Sequence, residues 1–350
     1  MGGRSSDDDD DEQVPREREA APGAPKGCEA QCWGCALWLV LPGYVPIFKC
    51  GWCGALTINK PKAQRSKWKR RLWTFRDRLF VLGVILIIIS MICGGVWAAF
   101  PVLFPSISFG LLFHTTITFL LSFNTLFNFA VASFIAPGPT RRVSWGNVGA
   151  AKRSSLEGYT FCDYCKWPKP RRAHHCRTCD TCVLDMDHHC PFIGNCVGAN
   201  NHRHFILFLL YTVLSSVYVF GMALYTGLRI WPSVITSNRM DNFGNSLSFS
   251  MGAGALAVVA NAILISGRAV ALLYLLVASV AIVTGVGILL QQQLSFLYSG
   301  STFIDSIQAA SKSRGQEGWD NLRQVFGNGH PIFWALPILP EATPRKIHVR

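Results

Sequence analysis

The chain has 350 residues, of which 50% are hydrophobic and 15% are charged, and its formal net charge is +13. This balance is apolar for a soluble protein, and a basic composition alone fits nucleic acid, a membrane surface or an anionic substrate. The position of the basic residues along the chain decides between these three partners. Nine Lys or Arg lie between Lys60 and Arg78, directly before an uncharged apolar run. That order is typical of a cytosolic segment beside a membrane, and we expect no nucleic-acid partner.

Two segments precede the membrane region. Residues 1–27 hold an acidic run followed by Pro, Gly, Ala and charged residues, which predicts a disordered tail. Residues 28–56 form a small cysteine-containing segment. Residues 57–78 form the basic stretch beside the membrane.

Four apolar runs are long enough for helices that cross a bilayer, which takes about 20 residues. The runs are Leu79–Phe100, about Ile107–Ile135, Phe205–Leu228 and Ala269–Leu290. They predict an all-α integral membrane protein with paired transmembrane helices in 79–135 and 205–290. Asn124 and Asn128, one turn apart in the second run, should face the bundle rather than lipid.

The stretch Met251–Gly267 is also uncharged but short, which favours a lumenal amphipathic or re-entrant piece over a fifth span. The connection between the first two runs has no Lys or Arg, whereas 136–204 and 291–350 are basic. The positive-inside rule therefore places both termini in the cytosol. We expect a multi-pass protein of an endomembrane, with the Golgi favoured, or of the plasma membrane.

Seven Cys and four His lie within residues 162–196. Their C-x2-C spacing is typical of tetrahedral zinc, because a tight turn aims two thiolates at one metal. This segment is too short and polar for a core of its own, so bound metal would supply the folding free energy. Two closed sites need eight ligands. Seven Cys with one His, or six Cys with two His and one free thiol, both satisfy the spacing.

The run Asp187-His188-His189-Cys190 within this cysteine pattern resembles the DHHC-type palmitoyltransferases, and the similarity extends over residues 162–205. The position of the cysteine-rich domain, between the second and third of four spans, also resembles the layout of that family. Residues 321–327 resemble its C-terminal motif, in which an Asn is buried near the active-site module. The resemblance implies a protein S-acyltransferase, EC class 2.3.1, that moves a long-chain acyl group from acyl-CoA to protein cysteines.

The resemblance also implies residue roles. Two structural zinc ions would be held by interleaved groups, namely Cys162, Cys165, His175 and Cys182, and then Cys176, Cys179, His189 and Cys196. Cys190 would remain as the nucleophile, with His188 as its base and Asp187 as the residue that orients the imidazole. The implied partners are long-chain acyl-CoA, membrane lipid, and cytosolic or membrane-associated proteins with accessible cysteines.

Basic side chains in the same segment match the phosphates of CoA, since the Arg fork fits phosphate geometry. The candidates are Lys169, Arg171, Arg172 and Arg177, with Lys166. A contact with anionic lipid or a topology signal would explain the same charges.

Other polar residues near the third span carry weaker expectations. His174, His202 and His204 have no clear role and should face solvent or lipid headgroups. Thr212, Ser215 and Ser216 share one helical face. That face would either pack closely against another helix or leave room for the end of an acyl chain.

Four positions depart from the family pattern. Phe192 stands where a Trp is usual two residues after the nucleophile. Ala136 replaces the Asp of an Asp-Pro-Gly run, and Phe303 and Asp305 replace the second Thr and the Glu of a Thr-Thr-x-Glu run.

The N-terminal pairs Cys32-x2-Cys35 and Cys50-x2-Cys53 resemble the small zinc-ribbon-like fingers of plant cell-death regulators. We expect a third zinc ion there, used for partner recognition and dispensable for the acyl intermediate. Acylated cysteines near the membrane or an apolar loop that dips into it are the alternatives.

Two other function classes compete with the enzyme. A non-catalytic, zinc-stapled membrane scaffold has no use for a thiol outside both metal sites and beside His188. A membrane-anchored ubiquitin ligase needs other ligand spacings and leaves Asp187 and His188 unexplained.

Overall fold

Four long helices form the membrane region of the computed structural model. The structure describes residues 29–58 without 42 and 44, 67–140 without 139, 159–240 without 163, 166 and 171, 253–307, and 318–337. The helices are α1 (Lys67–Leu103), α2 (Phe109–Phe134), α3 (His202–Met240) and α4 (Ala253–Tyr298). Each contains a stretch long and apolar enough to cross a bilayer, so the predicted four-helix, multi-pass membrane fold is confirmed.

The helices extend beyond the apolar runs that predicted them. α1 begins at Lys67 and therefore includes half of the basic stretch, because charged side chains do not stop a helix. α2 begins after Ser108, whose hydroxyl accepts a hydrogen bond from the backbone N–H of Leu111 at 3.2 Å. Hydropathy locates the membrane-embedded part of a helix, whereas capping residues locate its ends.

Of the two forms expected for residues 251–267, the re-entrant one is wrong, whereas the lumenal amphipathic one stays a prediction. Residues 253–267 are the first third of α4, a continuous helix of 46 residues. A re-entrant segment has to reverse direction before the next span, and an unbroken helix does not. Because the helix is about 69 Å long at about 1.5 Å per residue, it exceeds the bilayer's hydrocarbon thickness.

α3 lies at the centre of the bundle and packs against α1, α2 and α4. As predicted, Asn124 and Asn128 of α2 are buried against it. The carboxamide oxygen of Asn128 accepts a hydrogen bond from Nδ1 of His204 at 2.8 Å. This bond joins α2 to the first turn of α3, directly beside the cysteine-rich domain.

Short hairpins build the cysteine-containing segments. Before α1 come β1 (Glu29–Gln31), β2 (Trp38–Val40), β3 (Ile47–Lys49) and β4 (Leu56–Ile58). Between α2 and α3 come β5 (Thr160–Cys162), β6 (Trp167–Lys169), β7 (His174–Cys176), β8 (Thr181–Val183), β9 (His188–Cys190) and β10 (Asn195–Val197). The cysteine-rich domain therefore lies between the second and third spans, as predicted.

The strands pair mostly with their sequence neighbours, with one exception. β4 pairs in parallel with β5, so β3, β4, β5 and β6 form one sheet, although α1 and α2 lie between β4 and β5 in the sequence. After α4, two short helices follow, α5 (Phe303–Ile307) and α6 (Trp319–Phe326), and then a 3-10 helix over Pro331–Ala335.

Candidate active site and metal centres

The cysteine-rich domain brings eight of the predicted ligands into two groups. One group is Cys162, Cys165, His175 and Cys182, and the other is Cys176, Cys179, His189 and Cys196. These are the sets that the family resemblance implied. Cys190, the remaining one of the segment's seven thiols, lies outside both groups.

Strand geometry explains why the two groups interleave. His175 and Cys176 are neighbours on β7, and adjacent strand residues point to opposite faces. One therefore reaches the first group and the other reaches the second. The register supplies the remaining partners, because His175 pairs with Cys182 and His189 pairs with Cys196 across their hairpins.

The donor distances fit tetrahedral zinc. With bonds of about 2.3 Å to sulfur and 2.0 Å to nitrogen, a tetrahedron sets ligands about 3.6–3.8 Å apart. In the second group Sγ of Cys179 lies 3.5 Å from Sγ of Cys196 and 3.4 Å from Nδ1 of His189. In the first group Sγ of Cys182 lies 3.7 Å from Sγ of Cys165. Zinc would close each group and supply the folding free energy that so small a domain lacks.

A carboxylate from α1 supports the second group. Oδ2 of Asp77 lies 3.0 Å from Nε2 of His189, whose other nitrogen faces the thiols. Asp77 is buried, and the Arg76 guanidinium donates to its other oxygen at 2.7 Å. A carboxylate in this position fixes the tautomer and orientation of a metal-binding histidine. Asp77 is the only acid in the basic stretch, and this isolation is the one hint of its role.

We predict that Asp77→Asn weakens metal retention at the second group by about 10–100-fold, because the neutral amide orients His189 less firmly. The measurement is competition with a chelator, with alkylation of Cys176 and Cys179 mapped by mass spectrometry. Asp180→Asn is the matched control, since Asp180 lies 3.7 Å from His175 of the first group. Equal retention of the second-group zinc in both variants would contradict the role of Asp77.

The nucleophile candidate shares its strand with its base candidate. His188 and Cys190 lie on one face of β9 and His189 lies on the other, because strand residues alternate. Nδ1 of His188 lies 2.7 Å from Oδ2 of Asp187. A carboxylate can only accept, so Nδ1 carries the proton and Nε2 is the nitrogen available to Cys190. Phe205 and Phe303 contact the imidazole edge to face and fix the plane of the ring.

Burial and hydrogen bonding set the charge of this pair. Burial alone would lower the pKa of His188, but its hydrogen bonds with Asp187 and Cys190 outweigh burial and raise that pKa to about 9. Burial alone would raise the pKa of Asp187, but the hydrogen bond from His188 and the positive field of His202 lower it to about 2. The arrangement therefore favours a carboxylate beside an imidazolium, the charge pattern that stabilises a neighbouring thiolate.

Asp187 is held from two further elements. Its side chain is 0% exposed. The Gln293 amide of α4 donates to it at 3.0 Å, and the backbone N–H of Phe303 donates at 2.7 Å. Gln293 also contacts His202 at 3.3 Å. The sequence did not reveal Gln293, because nothing near it in the chain distinguishes it from an ordinary helix-terminal residue.

The expectation that His202 and His204 face solvent or lipid is wrong. Both side chains are buried, His202 against Gln293 and His204 against Asn128. They lie in the first turn of α3, where the helix enters the domain interface, so their ring nitrogens reach neighbouring helices instead of water. His174 is half-buried on β7.

Arg172 does not fit the expected role in binding phosphate. Its guanidinium lies 3.4 Å from Asp185 and 3.2 Å from Asp305, and donates to the Gly300 carbonyl at 3.0 Å. Two carboxylates already offset its charge, so Arg172 joins the cysteine-rich domain to the segment after α4. Lys169 and Arg177 remain candidates, whereas Arg171 and Lys166 lie outside the described residues.

The divergent motifs still support the site. Thr302 and Asp305 form a reciprocal cap on α5, with bonds of 3.0 and 3.2 Å between side chain and backbone. That cap holds the N–H of Phe303 towards Asp187. Asn321 of the C-terminal motif is buried and donates to the Tyr298 carbonyl at 3.0 Å. Asp305 therefore completes the cap with Thr302, although a Glu is usual at its position.

Two asparagines tie the active strand to the membrane helices. The Asn195 amide donates to the carbonyls of Ala132 and Ile135, which end α2, at 3.1 and 2.8 Å. Asn201 donates to Ala132 at 3.0 Å and accepts from the backbone of Gly198. Helix ends need such partners for their last carbonyls, and here the partners also fix the position of β9 and β10.

Cys190 opens onto an apolar cavity of about 410 Å³ within the bundle. All four helices line it, from Phe205 of α3 beside Cys190 to Ala223 farther along α3. These two residues are about 27 Å apart along the helix axis, close to the thickness of the bilayer's hydrocarbon core. Phe192, which replaces the usual Trp, stands at the edge of the cavity against Phe80 of α1, 5.1 Å away.

The N-terminal cysteines form a third group. Cys32, Cys35, Cys50 and Cys53 place one sulfur each within 4.8 Å of the others. Each C-x2-C pair occupies the turn of a hairpin, β1–β2 or β3–β4. The structure therefore brings together all four residues of the expected third site.

A thiol that faces a cavity inside a helical bundle defines a class of membrane proteins that present a nucleophile to an apolar ligand. Comparison with known families narrows the class. Residues 155–310 match the family model described as DHHC palmitoyltransferase. These residues are therefore similar to the DHHC palmitoyltransferase family, in agreement with the motif.

Curated relatives agree with this assignment. Palmitoyltransferase pfa3 of Emericella nidulans is 48% identical over 86 residues, which cover 25% of this chain and 16% of the relative. Palmitoyltransferase ZDHHC2 of Rattus norvegicus is 46% identical over 71 residues, 20% of this chain and 19% of the relative. Palmitoyltransferase ZDHHC20 of Homo sapiens is 31% identical over 192 residues, 53% of this chain and 45% of the relative. The chain thus spans less than half the length of each.

Proposed function

We propose that the protein is an S-acyltransferase that moves a long-chain acyl group from acyl-CoA to protein cysteines through a thioester on Cys190. One observation carries this proposal. The Cys190 thiol lies outside both metal groups, beside His188, and lines a cavity that is apolar enough to hold an acyl chain. A non-catalytic scaffold requires none of these features.

The first half-reaction follows from the positions of the side chains. Nε2 of His188 takes the proton of Cys190, and the thiolate attacks the carbonyl carbon of the acyl-CoA thioester. The bond to the CoA sulfur breaks, and the acyl group stays on Cys190. The proton on His188 passes to the departing CoA thiolate. Asp187 acts as a positioning residue, since it holds the ring and stabilises the imidazolium.

The second half-reaction transfers the acyl group to a protein. His188, neutral after the first half-reaction, takes the proton of a substrate cysteine, and the resulting thiolate attacks the acyl-Cys190 carbonyl carbon. The bond to the Cys190 sulfur breaks, and His188 returns the proton to the Cys190 thiolate. Lys169 and Arg177 are our candidates for the CoA phosphates. Proteins at the cytosolic membrane face, with accessible cysteines, are the expected acceptors.

The metal groups serve this chemistry by position. Zinc, when bound, would hold the hairpins together and so fix β9 against the end of α2. The residues of this chain then keep Cys190 at the cavity. No group of the chain other than His188 needs to move a proton in either half-reaction.

Contacts at one end of the bundle support the topology that we propose. β4 pairs with β5, and Asp187 bonds to Phe303, so the parts before α1, between α2 and α3, and after α4 meet on one side. We propose that this side is cytosolic, because it carries the basic residues. The membrane is an endomembrane, with the Golgi favoured, or the plasma membrane.

Mass spectrometry of the purified protein after incubation with palmitoyl-CoA tests the proposal. The expected product carries one acyl group on Cys190, which hydroxylamine removes. An acyl group found only on other cysteines would refute the assigned nucleophile.

The acyl-chain preference should depend on α3. Thr212, Ser215 and Ser216 all line the cavity, and Ser215 lies 3.2 Å from the Thr125 hydroxyl of α2. Ser215 is about 15 Å from Phe205 along the helix, half of the hydrocarbon thickness. This depth suits the end of a chain that occupies one leaflet.

We predict that Ser215→Phe or Ser216→Phe shifts usage from 16-carbon to 14-carbon acyl-CoA by up to about 15-fold. Two methylenes that lose their apolar surroundings cost about 1.6 kcal/mol. The measurement is competition between acyl-CoAs of 14, 16 and 18 carbons. Val217→Phe is the matched control, because Val217 is 53% exposed and outside the cavity lining. An unchanged ranking in both serine variants would place the chain elsewhere.

A further inference from the structure

The N-terminal segment carries four thiols that the proposed acyl transfer does not use. Residues 29–58 lie outside the stretch that matches the DHHC family model, which is 155–310. Sγ of Cys32 lies 3.5 Å from Sγ of Cys53, and Sγ of Cys35 lies 3.7 Å from Sγ of Cys50. Sulfur atoms of a zinc tetrahedron are about 3.8 Å apart, whereas a disulfide needs about 2.05 Å.

The surroundings of these thiols favour a metal over acylation. Cys32, Cys50 and Cys53 are buried, so an acyl chain on any of them would first have to open the folded hairpins. The turns also have the geometry of zinc knuckles. The backbone N–H of Gly34 points to Sγ of Cys32 at 3.4 Å. In the first ligand group of the cysteine-rich domain, the N–H of Cys165 points to Sγ of Cys162 in the same way, also at 3.4 Å.

This N-terminal module is joined to the catalytic domain. Leu56 of β4 pairs in parallel with Thr160 of β5, the strand that ends in Cys162. Trp33, between the first two thiols, is 2% exposed. Its indole N–H donates to the Leu56 carbonyl at 2.8 Å, and its ring lies 6.4 Å from that of Phe161.

We propose that Cys32, Cys35, Cys50 and Cys53 hold a third zinc ion, and that this module clamps the first zinc site of the catalytic domain. The four thiols bind the cation as thiolates and release their protons. Zinc fixes both hairpins, β4 then extends the β5–β6 sheet, and Trp33 covers Phe161. The module is thus a part of the catalytic fold, and its expected independence from the acyl intermediate no longer follows.

Zinc content tests the metal site. The wild-type protein, purified whole in detergent or nanodiscs, should hold three zinc ions per chain by elemental analysis. The double variant Cys32→Ser, Cys35→Ser should hold two, or fewer if the first site opens as well. Equal contents in the wild type and the double variant would overturn the third site.

Alkylation of individual cysteines tests the clamp without any acyl transfer. Trp33→Ala should raise the alkylation rate of Cys162 and Cys165 about tenfold or more, because local opening controls access to a protected group. Cys179 and Cys196 of the second site should keep the wild-type rate and so report an intact fold. The rates come from mass spectrometry of peptides after timed exposure to a maleimide.

Two further variants keep this test decisive. Trp52→Ala removes a tryptophan of the same module that is 53% exposed, and should leave every rate unchanged. Trp33→Phe keeps an aromatic ring but loses the bond to Leu56, so it should also raise the alkylation rate of Cys162. It is the variant to measure if Trp33→Ala does not fold. Wild-type rates at Cys162 in Trp33→Phe, Trp33→Ala and the double cysteine variant would overturn the clamp.

Discussion

Replacement of Cys190 by serine is expected to abolish both the acyl-enzyme intermediate and transfer to protein substrates, while the zinc content stays at the wild-type value. In the proposed reaction the thiol is the attacking group, and a serine hydroxyl is a far weaker nucleophile near neutral pH. Zinc should stay because Cys190 lies in none of the described metal groups. The measurements are intact-protein mass after exposure to palmitoyl-CoA, and elemental analysis of the same sample.

Cys93→Ser is the matched control for this variant. Cys93 is an exposed free cysteine on α1 and belongs to none of the three described ligand groups. It should acylate at the wild-type rate. Loss of about one zinc equivalent in Cys190→Ser would mean that the ligand groups are wrong. Persistent acylation of Cys190→Ser would mean that another thiol is the nucleophile.

The sequence predicted those parts of the site that depend on neighbouring residues. The C-x2-C spacing locates metal knuckles because both thiolates come from one turn. The spacing did not decide between seven and six thiolate ligands, and the family resemblance made that choice. The structure makes the reason visible, since alternation on β7 and β9 sends His175 and Cys176 to different groups and separates His189 from Cys190.

The parts that could not be predicted depend on contacts between distant segments. Asp77 is 112 residues from His189, and Gln293 is 106 residues from Asp187. Neither contact leaves a local pattern in the sequence. The same reason explains the error at His202 and the unexpected role of Arg172, whose partners lie on other elements.

Hydropathy likewise identified the four spans but not the extent of their helices. An average over apolar residues marks what can lie in lipid. It does not show where backbone hydrogen bonding stops. This limit produced the mistaken re-entrant piece before α4, and it hid that α1 reaches the second metal group through Asp77.

The adjacent histidines are expected to fail in different ways when each is changed to alanine. His188→Ala should fold and retain zinc, but the rate of intermediate formation should fall by about 10²–10⁴-fold, the usual contribution of a positioned base. His189→Ala should lose the second zinc and expose Cys176, Cys179 and Cys196, because three thiolates alone leave the tetrahedron open. It also leaves the buried carboxylate of Asp77 without its imidazole partner.

Zinc content, maleimide labelling and single-turnover acylation on both variants separate the two roles. The structure gives a reason to expect the contrast within one three-residue strand. Nδ1 of His188 is bonded to Asp187 at 2.7 Å, whereas Nδ1 of His189 lies 3.4–3.6 Å from three sulfur atoms. Matching phenotypes, with both variants folded and replete in zinc, would remove the distinction between base and ligand. A zinc-depleted His188→Ala would instead make His188 part of the metal site and leave Cys190 without a base.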